Sequence, residues 1–319
     1  MNWQLLPQFA ITGFLNGGPI ALIALGIVLI FKSSEIFNFS QGQMLLIGTL
    51  SVWWFWAEDG GLGLPLWAAV ILGLAASAIL GLLIERLALR PMTGQPLLSI
   101  ILMTLALSQF LQGLAILTFG TTQRNFPAIF EVTSPYKITL PFFTYNDNPI
   151  IVILKQNLLW SFIVAMICVG LLWLFFQYTR TGLSMRATAE DHETAQSVGI
   201  RINRIFGISW ALAGVIGTVG GILIATASGL DLSLPIVVLP AFPAVLLGGL
   251  ESIPGAVVGS LLIGLAQGLV ALPNNEFFLG PDAAQAIRSS AAIVPYVILL
   301  IVLVIRPDGL FGQKRIERI

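Results

Sequence analysis

The side chains that could contact a solute inside the apolar stretches of this 319-residue chain are all uncharged. Asn16, Gln41, Gln43, Ser108, Gln109, Gln112, Thr218 and Gln267 lie within apolar runs, where amides and hydroxyls either hydrogen-bond a passing molecule or tie helices together. No Asp, Glu, Lys, Arg or His occupies the middle of such a run. Ionised groups there cost about 2.5–3.5 kcal/mol on insertion scales and serve ion or proton pathways, so their absence argues against a proton-coupled carrier or voltage sensor. Enzyme chemistry finds no footing either. His192 is the single histidine and falls in a charged loop, where it is expected to be solvated, so neither a Ser/His pair nor a metal triad can form from this chain. No lysine follows a glycine, which excludes a phosphate-binding loop. The chain is therefore read as a non-enzyme that binds no metal or cofactor, and ATP used with it must be hydrolysed by another chain.

Charge concentrates instead in one island, from Arg180 to Arg204. Its basic ends place it on the cytoplasmic side, since Lys and Arg in short loops are retained inside, and it is the natural handle for a soluble partner. Asp191 fits an N-cap, Glu193 the first turn and Gly199 the C′ position. A helix from His192 to Val198 would carry Ala195 and Val198 on one face, either to lie in a partner's groove or simply as a capped surface helix.

The elements that position these groups must be membrane helices. Hydrophobic residues make up 57% and charged residues 9% of the chain, against about 25% charged in soluble domains. Continuous apolar runs predict an all-α, polytopic bundle of about eight or nine spans. The candidates are Gln8–Phe31, Phe37–Ala57, Pro65–Ile84, Leu97–Phe119, Leu158–Phe176, Gly207–Leu230, Gly255–Leu272 and Ala291–Ile305. A shorter piece, Pro235–Gly249, either crosses or re-enters.

The first run lacks preceding Lys or Arg and a cleavage site, so it reads as a retained helix with the amino terminus outside. Residues 1–319 then form a single transmembrane domain, with 177–206 a cytoplasmic loop, 120–148 an outside loop and a cytoplasmic carboxyl terminus. The outside loop is either a solvated connector or a docking edge for a protein that delivers solute. A net charge of zero gives no general attraction to nucleic acid, and the lone Cys168 is assigned to packing.

Gly13–Gly48 and Gly207–Gly249 share a layout of Gly-rich helix, polar or proline break and second apolar run. The two copies would point opposite ways through the membrane, an inverted repeat with broken helices. Gly17-Gly18, Gly214, Gly217, Gly220-Gly221, Gly248-Gly249, Gly255 and Gly259 have the small-residue spacings that allow close helix approach.

Several stretches carry a family resemblance. Gly13 to Gly26 with Phe37-Asn-Phe-Ser-Gln-Gly42, Glu85 to Met92, Arg180 to Ile202, Ala241 to Gly259 and the tail Arg306 to Gly312 occur in the order found in permease subunits of bacterial ABC importers for branched-chain amino acids and related small amides. The resemblance implies a permease half that works with a second permease, a related chain or another copy, with two ATP-binding cassette subunits and with an external solute-binding protein. It sets Asn38, Ser40, Gln41 and Gly42, beside Asn16 and Gln43, at or near the translocation path. It makes Arg180, Arg186, Ala187, Glu190 and Gly199 part of a coupling segment on an ATPase. Many family members carry Ala-His where this chain has Ser40-Gln41, so a titratable group is lost. The competing reading from composition is a stand-alone passive channel for a small neutral solute such as urea; a membrane scaffold or intramembrane enzyme lacks supporting groups.

Overall fold

The structure is a computed structural model, described for residues 5–92, 94–126, 129, 135–145, 148–272, 290–306 and 309–312. Its bundle is helical, as the apolar runs require. In order come α1 (Leu6–Ser34), α2 (Gln41–Trp56), α3 (Leu66–Ile84, continued by a π turn over Glu85–Leu89), α4 (Leu97–Phe119), strands β1 (Tyr136–Tyr145) and β2 (Asn148–Leu154), and α5 (Gln156–Tyr178). The short polar helices α6 (Arg180–Glu190) and α7 (His192–Ser197) follow, then α8 (Ile202–Ser228), a 3-10 turn at Leu234–Val238, α9 (Ala241–Gly248), α10 (Ile253–Val270) and α11 (Val294–Ile305). Among the described residues six helical segments are long and apolar enough to cross a membrane, and Leu234–Gly248 and Ser290–Ile305 are shorter apolar pieces.

Helix α1 is the axis of the molecule. Its run Ile20-Ala-Leu-Ile-Ala-Leu-Gly-Ile-Val-Leu-Ile30 is apolar on every side and buried on every side, as expected of a helix with no polar face to give to water. Helices α8, α10, α5 and α9 wrap it. By contrast α4 and α5 expose Leu98, Leu102, Ile167 and Leu171 on their outer faces, which suits contact with lipid chains. Helices α1 and α10 cross at close quarters through glycines on both. A Cβ on Gly13 would lie 2.5 Å from the Gly264 carbonyl oxygen, and one on Gly264 would lie 2.7 Å from the Gly17 nitrogen. Backbone rests on backbone there, and only glycine permits it.

Strands β1 and β2 form an antiparallel hairpin running from Tyr136↔Leu154 to Tyr145↔Asn148, with a register shift between Leu140 and Thr144. The expected connector over 120–148 thus contains a sheet element, encouraged by β-branched residues at Ile150, Ile151, Val152 and Ile153. The Gln8 side chain donates to the Ile153 carbonyl (2.6 Å) and accepts from its amide (2.8 Å), pinning β2 to the start of α1. This is the hairpin end of the bundle. Nearby, the Arg124 guanidinium lies 4.0 Å over the Trp53 ring, and Arg124 and Leu230 exchange backbone hydrogen bonds of 2.8 and 3.1 Å. At the opposite, island end, Lys32 Nζ donates to the Glu251 carbonyl (3.1 Å).

Two apolar segments are broken within the bundle. After α1 the chain takes a left-handed turn at Glu35 (φ 55°) and becomes helical again only at Gln41, four residues later than the start of the expected span at Phe37. Asn38 causes the delay: its Oδ1 accepts from the Ser40 amide (3.0 Å) and hydroxyl (2.6 Å), an Asx-type turn that competes with helix. The second break separates α8 from α9. Leu230 lies at the hairpin end and Glu251 at the island end, so the piece around Pro235–Gly249 runs the length of the bundle as a 3-10 turn plus a short helix. Since α1 and α8 run in opposite directions, the two helix-break-helix units have the inverted relation anticipated from layout.

Candidate transport path and island surface

The two breaks meet. A Cβ on Gly42 would stand 2.9 Å from Pro235 Cβ, and the Phe39 and Phe242 rings stack at 5.5 Å. Glycine at the head of α2 therefore lets the second break close upon it.

The polar side chains of the first break face protein. Asn38, Ser40 and Gln41 are buried. Asn38 Nδ2 donates to Gln41 Oε1 (3.2 Å), and Gln41 Nε2 donates to the Ala213 carbonyl on α8 (3.1 Å). The Gln41 amide fits because Gly26 and Gly217 have no side chains: a Cβ on either would come within 2.6 or 2.9 Å of Nε2. Gln43 is also buried, and its Oε1 has no hydrogen-bond partner among the described residues, a property shared by Thr218 Oγ1. What the break exposes is Glu35 and Phe39; in the second break Ile236 and Leu239 are exposed.

Asn16 sits elsewhere, on the wall of a cavity of about 680 Å³ toward the hairpin end, between α1, α5, α8, α10, the second break and α11. Ile20, Leu223, Ile224, Ile236, Val237 and Ile293 give it an aliphatic wall. Asn16, Ser161, Ser228, Gln267 and Tyr296 supply the polar side chains. The structure thus separates the expected path residues into a buried hydrogen-bonded group at the break and one amide in an open cavity. Ser161, Ser228 and Tyr296 were not anticipated; no local pattern marks a lone hydroxyl as facing a cavity.

At the island end the charged segment folds into α6 and α7, both capped by side chains. Thr179 Oγ1 accepts from the Gly182 amide (2.9 Å). Asp191 Oδ1 accepts from the amides of Glu193 (2.8 Å) and Thr194 (2.9 Å), and the Thr194 amide in particular holds the Asp191 carboxyl below the usual carboxylate range. Gly199, at φ 89°, ends α7 in a Schellman motif: its amide donates to the Gln196 carbonyl (3.0 Å) and that of Ile200 to Ala195 (3.1 Å). Both caps match the sequence expectation, but the face does not. Ala195 is buried against the rest of the chain, whereas Val198 is 73% exposed. His192, expected to be solvated, is half-buried, with Nε2 3.1 Å from the Ser33 carbonyl oxygen and its ring 5.8 Å from that of Phe206. It seats α7 on the ends of α1 and α8.

Arg186 and Glu190 line a polar cavity of about 650 Å³ with Lys32, Glu251 and Phe311. Arg186 is half-buried and donates to Gln177 Oε1 (3.4 Å), Ala187 is half-buried, and Arg180, Glu190 and Gly199 are exposed. Phe311 is held there because the amides of Leu310 and Phe311 donate to the carbonyls of Leu247 (2.8 Å) and Gly248 (3.1 Å), a strap across the end of α9. Among the described residues no cluster of His, Cys, Asp and Glu could hold a metal ion.

A buried axial helix, six helical segments apolar and long enough to cross a membrane among the described residues, paired breaks within the bundle and a capped polar knob at one end define a polytopic helical membrane permease. A family model described as branched-chain amino acid transport system, permease component, matches residues 9–303, and the chain belongs to this family. It is 27% identical to the high-affinity branched-chain amino acid transport system permease protein LivH of Salmonella typhimurium, over 98% of this chain and 97% of that one. It is 26% identical to the corresponding protein BraD of Pseudomonas aeruginosa, again over 98% and 97%. The guanosine ABC transporter permease protein NupQ of Bacillus subtilis is 25% identical over 83% of this chain and 82% of its own length.

Proposed function

We propose that this chain is the permease subunit of an ATP-driven importer for branched-chain amino acids or similarly small polar solutes. In this reading it works with two ATP-binding cassette subunits, a second permease and an external solute-binding protein. It lies in a bacterial cytoplasmic membrane with its amino terminus outside and its island and carboxyl terminus in the cytoplasm. Relatives named for branched-chain amino acids align over nearly the full length, which favours aliphatic amino acids over the guanosine of the NupQ name. The path would run past the cavity holding Asn16 and the meeting point of the two breaks, with Asn38, Ser40 and Gln41 keeping the first break in shape.

The observation that carries the reading is the island. Two capped helices stand at the bundle's end, fixed at their roots by His192 to α1 and by Ala195 to the body, with Val198, Arg180 and Gly199 facing outward. A rigid knob so placed can receive force from a soluble ATPase and pass it to α1 and α8, whose broken partners frame the path. Neutral polar groups suit such a path, because selection can rest with the binding protein and weak sites let solute leave.

The test is co-purification from the native host in mild detergent. Arg186→Glu and Val198→Asp should each weaken association with a nucleotide-binding subunit and uncouple ATP hydrolysis from uptake. Val198 has most of its surface free, so its variant tests docking without disturbing the fold. Undiminished association and coupling in both variants would remove the island from this role, and solute flux through the purified chain alone in liposomes would favour a channel.

A further inference from the structure

We propose that the root of the island, where α6 leaves α5 and α8 begins, is a binding site for the headgroup of an anionic phospholipid. The inference needs the chain to span a membrane but does not depend on what it transports.

The argument starts with charge. Two adjoining cavities, of about 360 and 680 Å³, share Arg201 and Arg204, with Arg180 on the wall of the first and Arg90 on that of the second. No Asp or Glu lines either one. Arg90 is already paired with Glu85 (3.1 Å), but the guanidinium groups of Arg180, Arg201 and Arg204 make no hydrogen bond or ion pair among the described residues. The other polar cavity at this end is balanced, since Lys32 and Arg186 are matched there by Glu35, Glu190 and Glu251. Arg201 is moreover the N-cap of α8 and Arg204 lies in its first turn, at the electropositive end of a helix, where cations are disfavoured. Three like charges on one cavity beside that end repel one another, and an anion among them removes the repulsion. Guanidinium forks match the oxygens of a phosphate in particular, and the Thr181 hydroxyl on the same wall adds a donor.

Position and lining select a lipid over a soluble phosphate. Arg180 follows the end of α5 and Arg201 precedes the start of α8, two helices long and apolar enough to cross a membrane. A bilayer that holds both spans sets its phosphate layer at those ends. Tyr178, 75% exposed, closes α5, and its ring meets Trp173 edge-on at 6.3 Å, an aromatic pair of the kind that marks this level. Beside the arginines the wall is aliphatic, with Ile200, Ile205 and Ile208. Such a surface takes the glycerol and acyl carbons of a lipid out of water and gives a free phosphate nothing. Basic pockets between membrane helices hold anionic headgroups in this way.

The experiment uses the permease purified with its partner subunits in mild detergent and counts bound lipid by native mass spectrometry after addition of equal amounts of phosphatidylglycerol, cardiolipin or phosphatidylethanolamine. The two anionic lipids should be retained, and the zwitterionic one at least about tenfold less. Changing Arg201→Gln and Arg204→Gln together should lower retention of phosphatidylglycerol about 25-fold, or about fivefold per charge. Arg201→Lys with Arg204→Lys keeps the charge and should stay within about fivefold of the parent. Lys137→Gln, which removes an exposed cation at the hairpin end, should bind like the parent.

Equal retention of anionic and zwitterionic lipid, undiminished retention in the Gln pair, or a Lys pair as poor as the Gln pair would each overturn the proposal. Displacement of phosphatidylglycerol by millimolar inorganic phosphate would do the same, because the site would then take a soluble anion. Loss of the ATP-binding cassette subunits from the Gln pair with lipid retention unchanged would assign the arginines to subunit docking instead. None of these readouts uses transport, so failure of the importer reading leaves the lipid site standing.

Discussion

Replacing Gly264 by alanine tests the crossing on which the bundle hangs. The added methyl would lie 2.6 Å from the Gly13 carbonyl oxygen, 2.7 Å from the Gly17 nitrogen and 2.8 Å from Gly17 Cα. All three are backbone atoms of a helix, so none can rotate away. Ordinary contact requires α1 and α10 to separate by about 0.8 Å, and a gap of that size forfeits roughly a quarter to a half of the dispersion energy of each neighbouring contact along the seam. Overpacking of this kind costs about 1–3 kcal/mol. Gly170→Ala is the matched control, because it lies inside α5 and its Cβ would meet nothing within 4 Å. Both changes share the helix-propensity gain of up to about 1 kcal/mol, so their difference isolates the clash. Thermal unfolding in detergent, followed by tryptophan fluorescence, should place Gly264→Ala roughly 2–10 °C below Gly170→Ala. Equal midpoints would mean that the backbone contact of α1 with α10 does not hold the bundle together, and the reasoning would be refuted.

How much of this could be read from the chain depended on whether the deciding contact was local. The run Leu97–Phe119 coincides with α4 because length and apolarity alone define a span. The caps at Asp191 and Gly199 were legible because capping is settled within four residues. The burial of Ala195 with exposure of Val198 was not, since it depends on where α7 lands against α8 and α1. Gly264 and Gly268 went unmarked for the same reason. A glycine in an apolar run reveals its role only when its partner is known, and theirs, Gly13 and Gly17, belong to the opposite end of the sequence. The hairpin hid behind Pro141-Phe142-Phe143, which breaks the alternation of β1 and made 120–148 read as a connector. Gln41 shows the limit most plainly. Sequence identifies an amide at membrane depth, but only packing decides whether it meets solute or the Ala213 carbonyl.

Asp191 gives a pH-dependent signature. Its folded carboxyl titrates below its unfolded value near 3.9, so the cap's contribution is fully present above that value and is lost as pH falls through the lower folded one. At pH 7, Asp191→Ala should therefore speed amide hydrogen exchange at Glu193 and Thr194, with parent and variant converging as pH falls through the lower folded value, once rates are corrected for intrinsic exchange; a difference that does not change with pH would reject the carboxylate as the cap. Gln41 separates framework from path. Gln41→Leu keeps the side-chain volume between Gly26 and Gly217 but removes the donor to Ala213 and the acceptor for Asn38. Two lost hydrogen bonds in a membrane interior cost about 1–2 kcal/mol, and the Asn38 turn that starts α2 loses its brace. If Gln41 holds the break in shape, the variant should lower the unfolding midpoint and the maximal rate of ATP-driven uptake while leaving the solute concentration at half-maximal uptake unchanged. A shift in that concentration with stability intact would mean that the amide contacts solute during passage, and Gln41 would then belong to the path rather than to its frame.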